Sequence, residues 1–191
     1  MKLGALVLVL TLSSAAHAGP LADVLVESWP DYLSPERAAA HVFAARAASV
    51  ETGIDPLLLL GMAYHESRFQ PDAVSRRHCE GETCVRRASH WRSRTRGADF
   101  RGPYFCGVLQ VEARSWRQCL AWRDDLVATY REAAHHLRWW LDEPHCRGDL
   151  RCALLGYGGG YRLIEVGSSY PRRCLHKAAQ IRRRLDDKLA S

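Results

Sequence analysis

The pattern of apolar and polar positions predicts a chain built mainly of helices. The clearest element is an apolar run over residues 57–69, with Asp55 placed to cap its start and Pro56 at its first helical position. Glu66 is the only acidic residue in that run. On a helix, it shares a face with the residues three, four, seven and eight positions earlier, which are Ala63, Met62, Leu59 and Leu58.

This placement of Glu66 supports two interpretations. A carboxylate above an apolar face loses water, which raises its pKa and allows it to donate a proton near neutral pH. The simpler interpretation is that Glu66 marks the solvated end of a core helix. The helix pattern alone leaves both interpretations open.

The other regular segments of the sequence are also predicted to be helical. They are residues 21–33 with a break near Pro30, residues 36–50, 112–122, 125–141 and 149–155, and a final basic helix that starts at Pro171. In the second of these, the spacing of Ala39, Phe43, Ala47 and Val50 predicts one buried face. In residues 125–141 the predicted buried side consists of Leu126, Tyr130, Ala133, Ala134, Leu137 and Trp140. The glycine-rich residues 156–161 are expected to form a flexible turn.

Residues 72–103 have no regular pattern and are rich in arginine, with Arg76 the first and Arg101 the last of eight. A loop of this length inside a compact domain is usually functional or disordered. It could cover a groove and bind a polymer, or it could be a solvated excursion held by a disulfide. Because no stretch alternates convincingly as a strand does, the predicted fold class is all-α, in a single domain of residues 19–191.

The start of the chain predicts export. Lys2 precedes a short apolar run, and Ala16-His17-Ala18 offers small residues where a signal peptidase cleaves, so residues 1–18 are interpreted as a signal peptide. No cysteine follows the cleavage point directly and no later stretch is apolar enough to span a membrane, so no membrane anchor is expected. The expected location is therefore periplasmic or secreted.

The formal charge of +6 comes largely from arginine and suits anionic partners. Cell-wall polymers, nucleic acid and acidic lipids all qualify by charge. A nucleic-acid binder should carry its basic residues on a helix or stripe that faces a groove. Here they crowd into the loop and the C-terminal end, so nucleic acid is not the expected partner. The oligomeric state stays open.

The seven cysteines all lie in the exported part, where disulfides form readily. Their local spacing suggests the pairs Cys79–Cys84, Cys106–Cys119 and Cys146–Cys152, although spacing does not determine connectivity. Cys174 would then be unpaired, or would replace one of these partners. Since no Cys-x-x-Cys occurs and His65-Glu66 lacks the second histidine of a zinc-protease helix, no metal is expected.

Three separated segments carry a resemblance to a known family. They are Gly53-Ile54-Asp55-Pro56-Leu57-Leu58 leading into His65-Glu66-Ser67-Arg68-Phe69 and Pro71-Asp72-Ala73-Val74-Ser75, then Gly107-Val108-Leu109-Gln110, then Ala153-Leu154-Leu155-Gly156-Tyr157-Gly158-Gly159-Gly160. Together, and in this order, they resemble the soluble lytic transglycosylase family, which shares the fold of goose-type lysozyme. The resemblance covers residues 53–160 apart from the arginine-rich loop.

The resemblance implies an enzyme that cleaves the β-1,4 bond between N-acetylmuramic acid and N-acetylglucosamine in peptidoglycan glycan strands, without a cofactor. Glu66 matches the single catalytic acid/base of the family. It would protonate the glycosidic oxygen and then accept a proton from the C6 hydroxyl that attacks C1, which leaves a 1,6-anhydro sugar. Ser67, Ser75, Gln110 and Tyr157 match positions that line the substrate groove.

The sequence departs from the family at three points. Leu109 replaces a methionine, Gly158 replaces an asparagine that would supply a polar contact, and the arginine-rich loop is longer than usual. The loop carries Asp99, and goose-type lysozymes use a carboxylate near this point to activate water. A hydrolytic muramidase with Asp99 as second carboxylate is therefore the close alternative. A non-catalytic protein that binds the cell wall is the alternative from another class.

Overall fold

The computed structural model describes residues 19–80, 83–90, 104–113 and 115–191, and only the backbone of residues 75–80, 83–90, 104 and 116. The predicted signal peptide and Asp99 lie outside the described residues. Within them the chain is mainly helical, as the sequence predicts. The helices are α1 Gly19–Ser28, α2 Pro35–Thr52, α3 Pro56–Ser67, α4 Trp116–Asp124, α5 Leu126–Asp142, α6 Leu150–Gly159, α7 Tyr161–Val166 and α8 Tyr170–Ala190. The strands are β1 Ala73–Glu80, β2 Thr83–His90, β3 Tyr104–Cys106 and β4 Val111–Ala113.

Helix α3 is the central element of the core. The Asp55 side chain accepts a hydrogen bond from the Leu57 amide at 2.8 Å, which satisfies one of the open N–H groups at the helix start. Every residue from 57 to 63 is buried. The predicted apolar face below Glu66 is therefore confirmed.

Helix α8 lies directly against α3 at Gly61. A Cβ at this position would stand 2.8 Å from both the backbone nitrogen of Ala178 and the backbone oxygen of Cys174. Only a residue without a side chain permits so close an approach of two helix backbones. The final basic helix thereby reaches the end of α3 that carries Glu66.

Helix α2 extends one residue before and two residues beyond the predicted residues 36–50, and its buried face differs from the predicted one. Ser34 accepts from the Arg37 amide at the start, and Gly53 ends the helix with φ at 71°. Phe43 is 67% exposed and Val50 is 87% exposed, so the predicted face is wrong. The buried residues are Ala38, His41, Val42, Ala44, Ala45, Ala48 and Thr52. In an alanine-rich helix small side chains let any face approach its neighbours, and here α2 packs its alanines against α5 and α3.

Helix α5 buries the side that its periodicity predicts. Tyr130, Leu137 and Trp140 are all buried, while Leu126 at the helix start is only partly buried. The Tyr130 hydroxyl lies 3.1 Å from Nδ1 of His41, which ties α5 to α2 inside the core. Burial, and next the nearby Arg37 charge, lowers the pKa of His41 to about 3.

A four-stranded antiparallel sheet corrects the expectation of an irregular stretch after residue 72. Its strand order is β2-β1-β3-β4, and β1 pairs with both β2 and β3. Ladder pairs such as Val74 opposite Cys106 form between backbones that are distant along the chain, so side-chain periodicity does not reveal them. The predicted helix over residues 112–122 is also partly wrong. Its first two residues belong to β4, and α4 starts only after Ser115, whose side chain accepts from the Gln118 amide.

Two of the predicted disulfides are present among the described cysteines. Cys106 bonds to Cys119 and Cys146 bonds to Cys152, while Cys174 is a buried free thiol. The register of β1 and β2 places residue 79 opposite residue 84, but the side chains of that third predicted pair lie outside the described residues. Structural disulfides are typical of an oxidising compartment. None of the described helices is long and apolar enough to cross a membrane.

Candidate active site

Glu66 lies in the last turn of α3, where it faces the start of α8. The residue is partly exposed, but its Oε1 atom is shielded from solvent. Tyr170 and Cys174 of α8 are close enough for the Glu66 charge to perturb the titration of both. One carboxylate therefore lies near a phenol and a thiol of α8.

Both neighbours keep their protons at neutral pH. Burial, and next the Glu66 charge, raises the pKa of Tyr170 well above its ordinary value. The same two causes raise the pKa of the Cys174 thiol to about 12. A protonated phenol beside a carboxylate can act as a hydrogen-bond donor to it, so Tyr170 can stabilise the ionised form of Glu66 without carrying charge.

The chain leaves α3 through a strained turn. Arg68 and Phe69 have φ values of 54° and 62°, in the left-handed region that bulky residues rarely occupy. Phe69 is fully buried, and its carbonyl accepts from the Arg37 guanidinium at 2.8 Å. Such strain costs on the order of 1–3 kcal/mol per residue and is concentrated at functional sites. The surrounding contacts hold the turn directly after Glu66 in one conformation.

Ser67 connects the end of α3 to the segment of residues 107–110. Its hydroxyl donates to the Val108 carbonyl at 2.8 Å and accepts from the Gln70 amide at 3.1 Å. It also lies 3.3 Å from the Ala63 carbonyl. The predicted substrate contact is therefore a side chain with several backbone partners, which positions the 107–110 segment.

Gln110 holds the same segment from its other end. Its side-chain amide donates to the carbonyls of Ala73 and Gly107, at 2.9 Å each. The residue is buried, and its φ of 51° makes it another left-handed non-glycine residue of the site. Because both acceptors are backbone carbonyls, Gln110 holds residues 107–110 against the start of β1.

Tyr157 brings the third segment to this loop. It is buried in α6, and its hydroxyl donates to the Leu109 carbonyl at 2.7 Å. Its ring stacks on that of Tyr170, with centroids 6.4 Å apart and planes 16° from parallel. The predicted flexible turn is instead helical through Gly159, and a side chain at Gly156 would overlap the indole of Trp140.

Ser75 is the predicted site residue of which the structure describes only the backbone. Its backbone lies in β1, opposite Phe105 of β3 and Ala88 of β2. Its side chain lies outside the described residues.

Tyr170 is the residue of the site that the sequence did not reveal. Its ring lies across Gly158, where a Cβ would stand 3.2 Å from Cγ and Cδ1 of the ring. Position 158, where the family resemblance predicts an asparagine, is therefore flanked by an aromatic ring. Tyr170 stands far along the chain from Glu66 and outside the three motif segments. The one local signal was its place next to Pro171 at the start of a helix.

Comparisons with known proteins found no matching family model, curated protein or solved structure. Among the described residues, no group of three or more His, Cys, Asp or Glu side chains could hold a metal ion.

Proposed function

We propose that this protein is a peptidoglycan lytic transglycosylase in which Glu66 is the single acid/base. The observation that carries the proposal is that the three motif segments meet around the end of α3. Ser67 bonds to Val108, Tyr157 bonds to Leu109, and Gln110 bonds to Ala73. These bonds join residues that are 41, 48 and 37 positions apart along the chain. The three segments follow one another along the chain in the same order as the family motifs.

The surroundings of Glu66 suit a proton donor. One oxygen of its carboxyl group is shielded from solvent and lies near the uncharged Tyr170 phenol and Cys174 thiol, and the proposed reaction begins with this carboxyl group protonated. In the proposed reaction Glu66 gives this proton to the glycosidic oxygen as the bond to C1 breaks. The resulting carboxylate, next to the phenol of Tyr170, then accepts the proton of the C6 hydroxyl as O6 bonds to C1. No water is consumed.

A single carboxylate suffices for this route because the nucleophile belongs to the substrate. Glycosidases that use water or a covalent intermediate ordinarily need two carboxylates at a set separation. The proposed substrate is the glycan strand of peptidoglycan, and the proposed location is the periplasm or the exterior of the cell. The two disulfides fit such an oxidising location.

Digestion of purified peptidoglycan by wild type, Glu66→Gln and Glu165→Gln tests the proposal. Glu165 is an exposed residue of α7, so its substitution is the matched control. We expect 1,6-anhydro ends by mass spectrometry from the wild type and the control, and a rate lower by about 10²–10⁴-fold for Glu66→Gln. Equal rates for Glu66→Gln and wild type would contradict the catalytic role. Reducing ends alone would identify a hydrolytic muramidase, and binding without any cleavage would identify a wall-binding protein.

A further inference from the structure

A cavity of about 360 Å³ lies beside the candidate active site, between the end of α3 and the first turns of α8. Its described lining residues are all basic: His65, Arg172, Arg173, His176 and Lys177. His65 precedes Glu66 directly, and its ring packs edge-on against Tyr170 at 5.2 Å. The cavity is therefore adjacent to Glu66.

Two arginines of this cavity are not paired with any described carboxylate. In the part of the chain that the structure describes, Arg172 and Arg173 form no ion pair. Elsewhere Arg138 and Arg182 pair with carboxylates at 2.9 and 2.7 Å. Like charges gathered around a concave surface raise its potential and attract an anion.

Lys177 is held in place at the cavity by uncharged groups. Its ammonium group lies 4.6 Å from the ring centroid of Tyr64 and 5.9 Å from that of Trp29. It also donates to Oε1 of Gln180 at 3.2 Å. These contacts orient the cation without cancelling its charge. Arginine forks and an oriented ammonium together suit carboxylates, which they can bind with charge-assisted hydrogen bonds.

We infer that this cavity binds the carboxylates of the peptide that peptidoglycan carries on its N-acetylmuramic acid. This inference rests on the proposed function, since it assigns the peptide to the cavity next to the acid/base. The peptide is attached to the sugar whose bond is cleaved, so a peptide site must lie near Glu66. The cavity then selects strands that still carry peptides over bare glycan.

Two pairs of substitutions separate this cavity from general surface charge. The test variant is Arg172→Gln with Arg173→Gln, and the control is Arg183→Gln with Arg184→Gln. Both remove the same charge from α8, but the control pair lies about 16 Å further along the helix at 1.5 Å per residue. Arg184 gives up only an exposed hydrogen bond to Ser28.

The binding experiment is calorimetric titration with N-acetyl-alanyl-γ-glutamyl-diaminopimelate, whose carboxylates outnumber its amine. Loss of charge-assisted hydrogen bonds should weaken binding by about tenfold or more in the Arg172/Arg173 variant, and leave the control unchanged. The same peptide with amidated carboxylates should not bind. The assignment would be overturned if both peptides bound equally well, or if the variant bound the peptide as tightly as the wild type. It would also be overturned if the protein bound inorganic phosphate but did not bind the peptide.

The activity experiment compares peptide-bearing peptidoglycan with glycan strands stripped of peptide by an amidase. We expect the Arg172/Arg173 variant to have a KM raised about tenfold on peptide-bearing strands and a wild-type KM on stripped strands. An equal loss on both substrates would contradict a peptide site. If the wild type cleaves nothing, the proposed function fails while the titration still tests the cavity. If it cleaves but does not bind peptide, the inference alone fails.

Discussion

The ring of Tyr170 covers Gly158 so closely that a Cβ added at Gly158 would lie 3.2 Å from two ring carbons. The same ring stacks on Tyr157, and its buried hydroxyl lies near Glu66. The residue that replaces the expected asparagine is therefore coupled to the proposed catalytic group through one aromatic side chain.

We expect Gly158→Asn to lower the free energy of unfolding by about 1–3 kcal/mol, because the new side chain must displace the Tyr170 ring. Tyr170→Ala removes the obstacle, so the two substitutions together should cost less than the sum of their separate effects. Chemical denaturation of the four proteins in this double-mutant cycle measures the coupling. Additive effects would show that the Tyr170 ring does not limit the room for a side chain at position 158.

Gly61→Ala should destabilise the contact between α3 and α8. The added Cβ meets backbone atoms of Cys174 and Ala178 at 2.8 Å, and a helix backbone can move only as a whole. We expect a loss of about 1–3 kcal/mol or more in the free energy of unfolding. Gly159→Ala is the matched control, since its nearest obstacle is the side chain of Leu163, which can rotate. A larger loss at position 159 than at position 61 would refute this account.

Tyr157→Phe should destabilise the protein and slow the proposed reaction, because it leaves the buried Leu109 carbonyl without its 2.7 Å donor. An unsatisfied buried carbonyl costs about 1–3 kcal/mol. Tyr161→Phe removes an exposed bond to Glu143 and should change stability by less than about 0.5 kcal/mol. Thermal unfolding and the release of anhydro ends are measured for both. Matching behaviour of the two variants would argue against a positioning role for Tyr157.

Stability should fall as the pH drops below about 6.5, because buried His41 stays neutral in the folded protein. Its pKa of about 3 lies below the ordinary value, so the unfolded chain binds a proton that the folded chain refuses. One such group contributes a slope of up to about 1.4 kcal/mol per pH unit between those two values. The lowered pKa of His136, caused first by burial, acts in the same direction.

The measurement is the free energy of unfolding from pH 7 to pH 5. His41→Gln should be less stable at pH 7, since the Tyr130 hydroxyl loses its partner, but its stability should depend less on pH. A slope that is identical in wild type and His41→Gln would exclude His41 as its source.

Cys174 should resist alkylation in the folded protein. With a pKa of about 12, on the order of one thiol in ten thousand is ionised at pH 8, and the residue is also buried. Iodoacetamide should therefore label it only after unfolding.

Labelling of the unfolded, unreduced chain should modify one cysteine if Cys79 is bonded to Cys84. Three modified cysteines would disprove that pair.

Much of the helical framework could be predicted from local sequence. The caps of Ser34, Gly53, Asp55 and Asp149 act on residues only a few positions away, so the sequence shows them directly. The sequence predicts no strands, and the buried face that it predicts for α2 is wrong. A ladder bond joins residues that are far apart along the chain, and alanines fit equally well on several faces.

The candidate site could likewise be predicted from the sequence only in part. The motif residues Glu66, Ser67, Gln110 and Tyr157 are visible in the sequence. The structure adds that Ser67, Gln110 and Tyr157 donate hydrogen bonds to backbone carbonyls, and their contact with substrate stays a prediction. Tyr170 belongs to none of the motif segments, and only its contacts in the structure identify it as part of the candidate site.

By itself the sequence determined the caps that begin α2, α3 and α6, which side of α5 is buried, and that one carboxylate stands at the end of an apolar helix. The tertiary structure alone decided what surrounds that carboxylate. Gly61 allows α8 to approach α3, and this approach brings Tyr170 and the basic cavity to Glu66. The reason is physical: capping and periodicity depend on neighbours along the chain, whereas solvation and charge depend on neighbours in space.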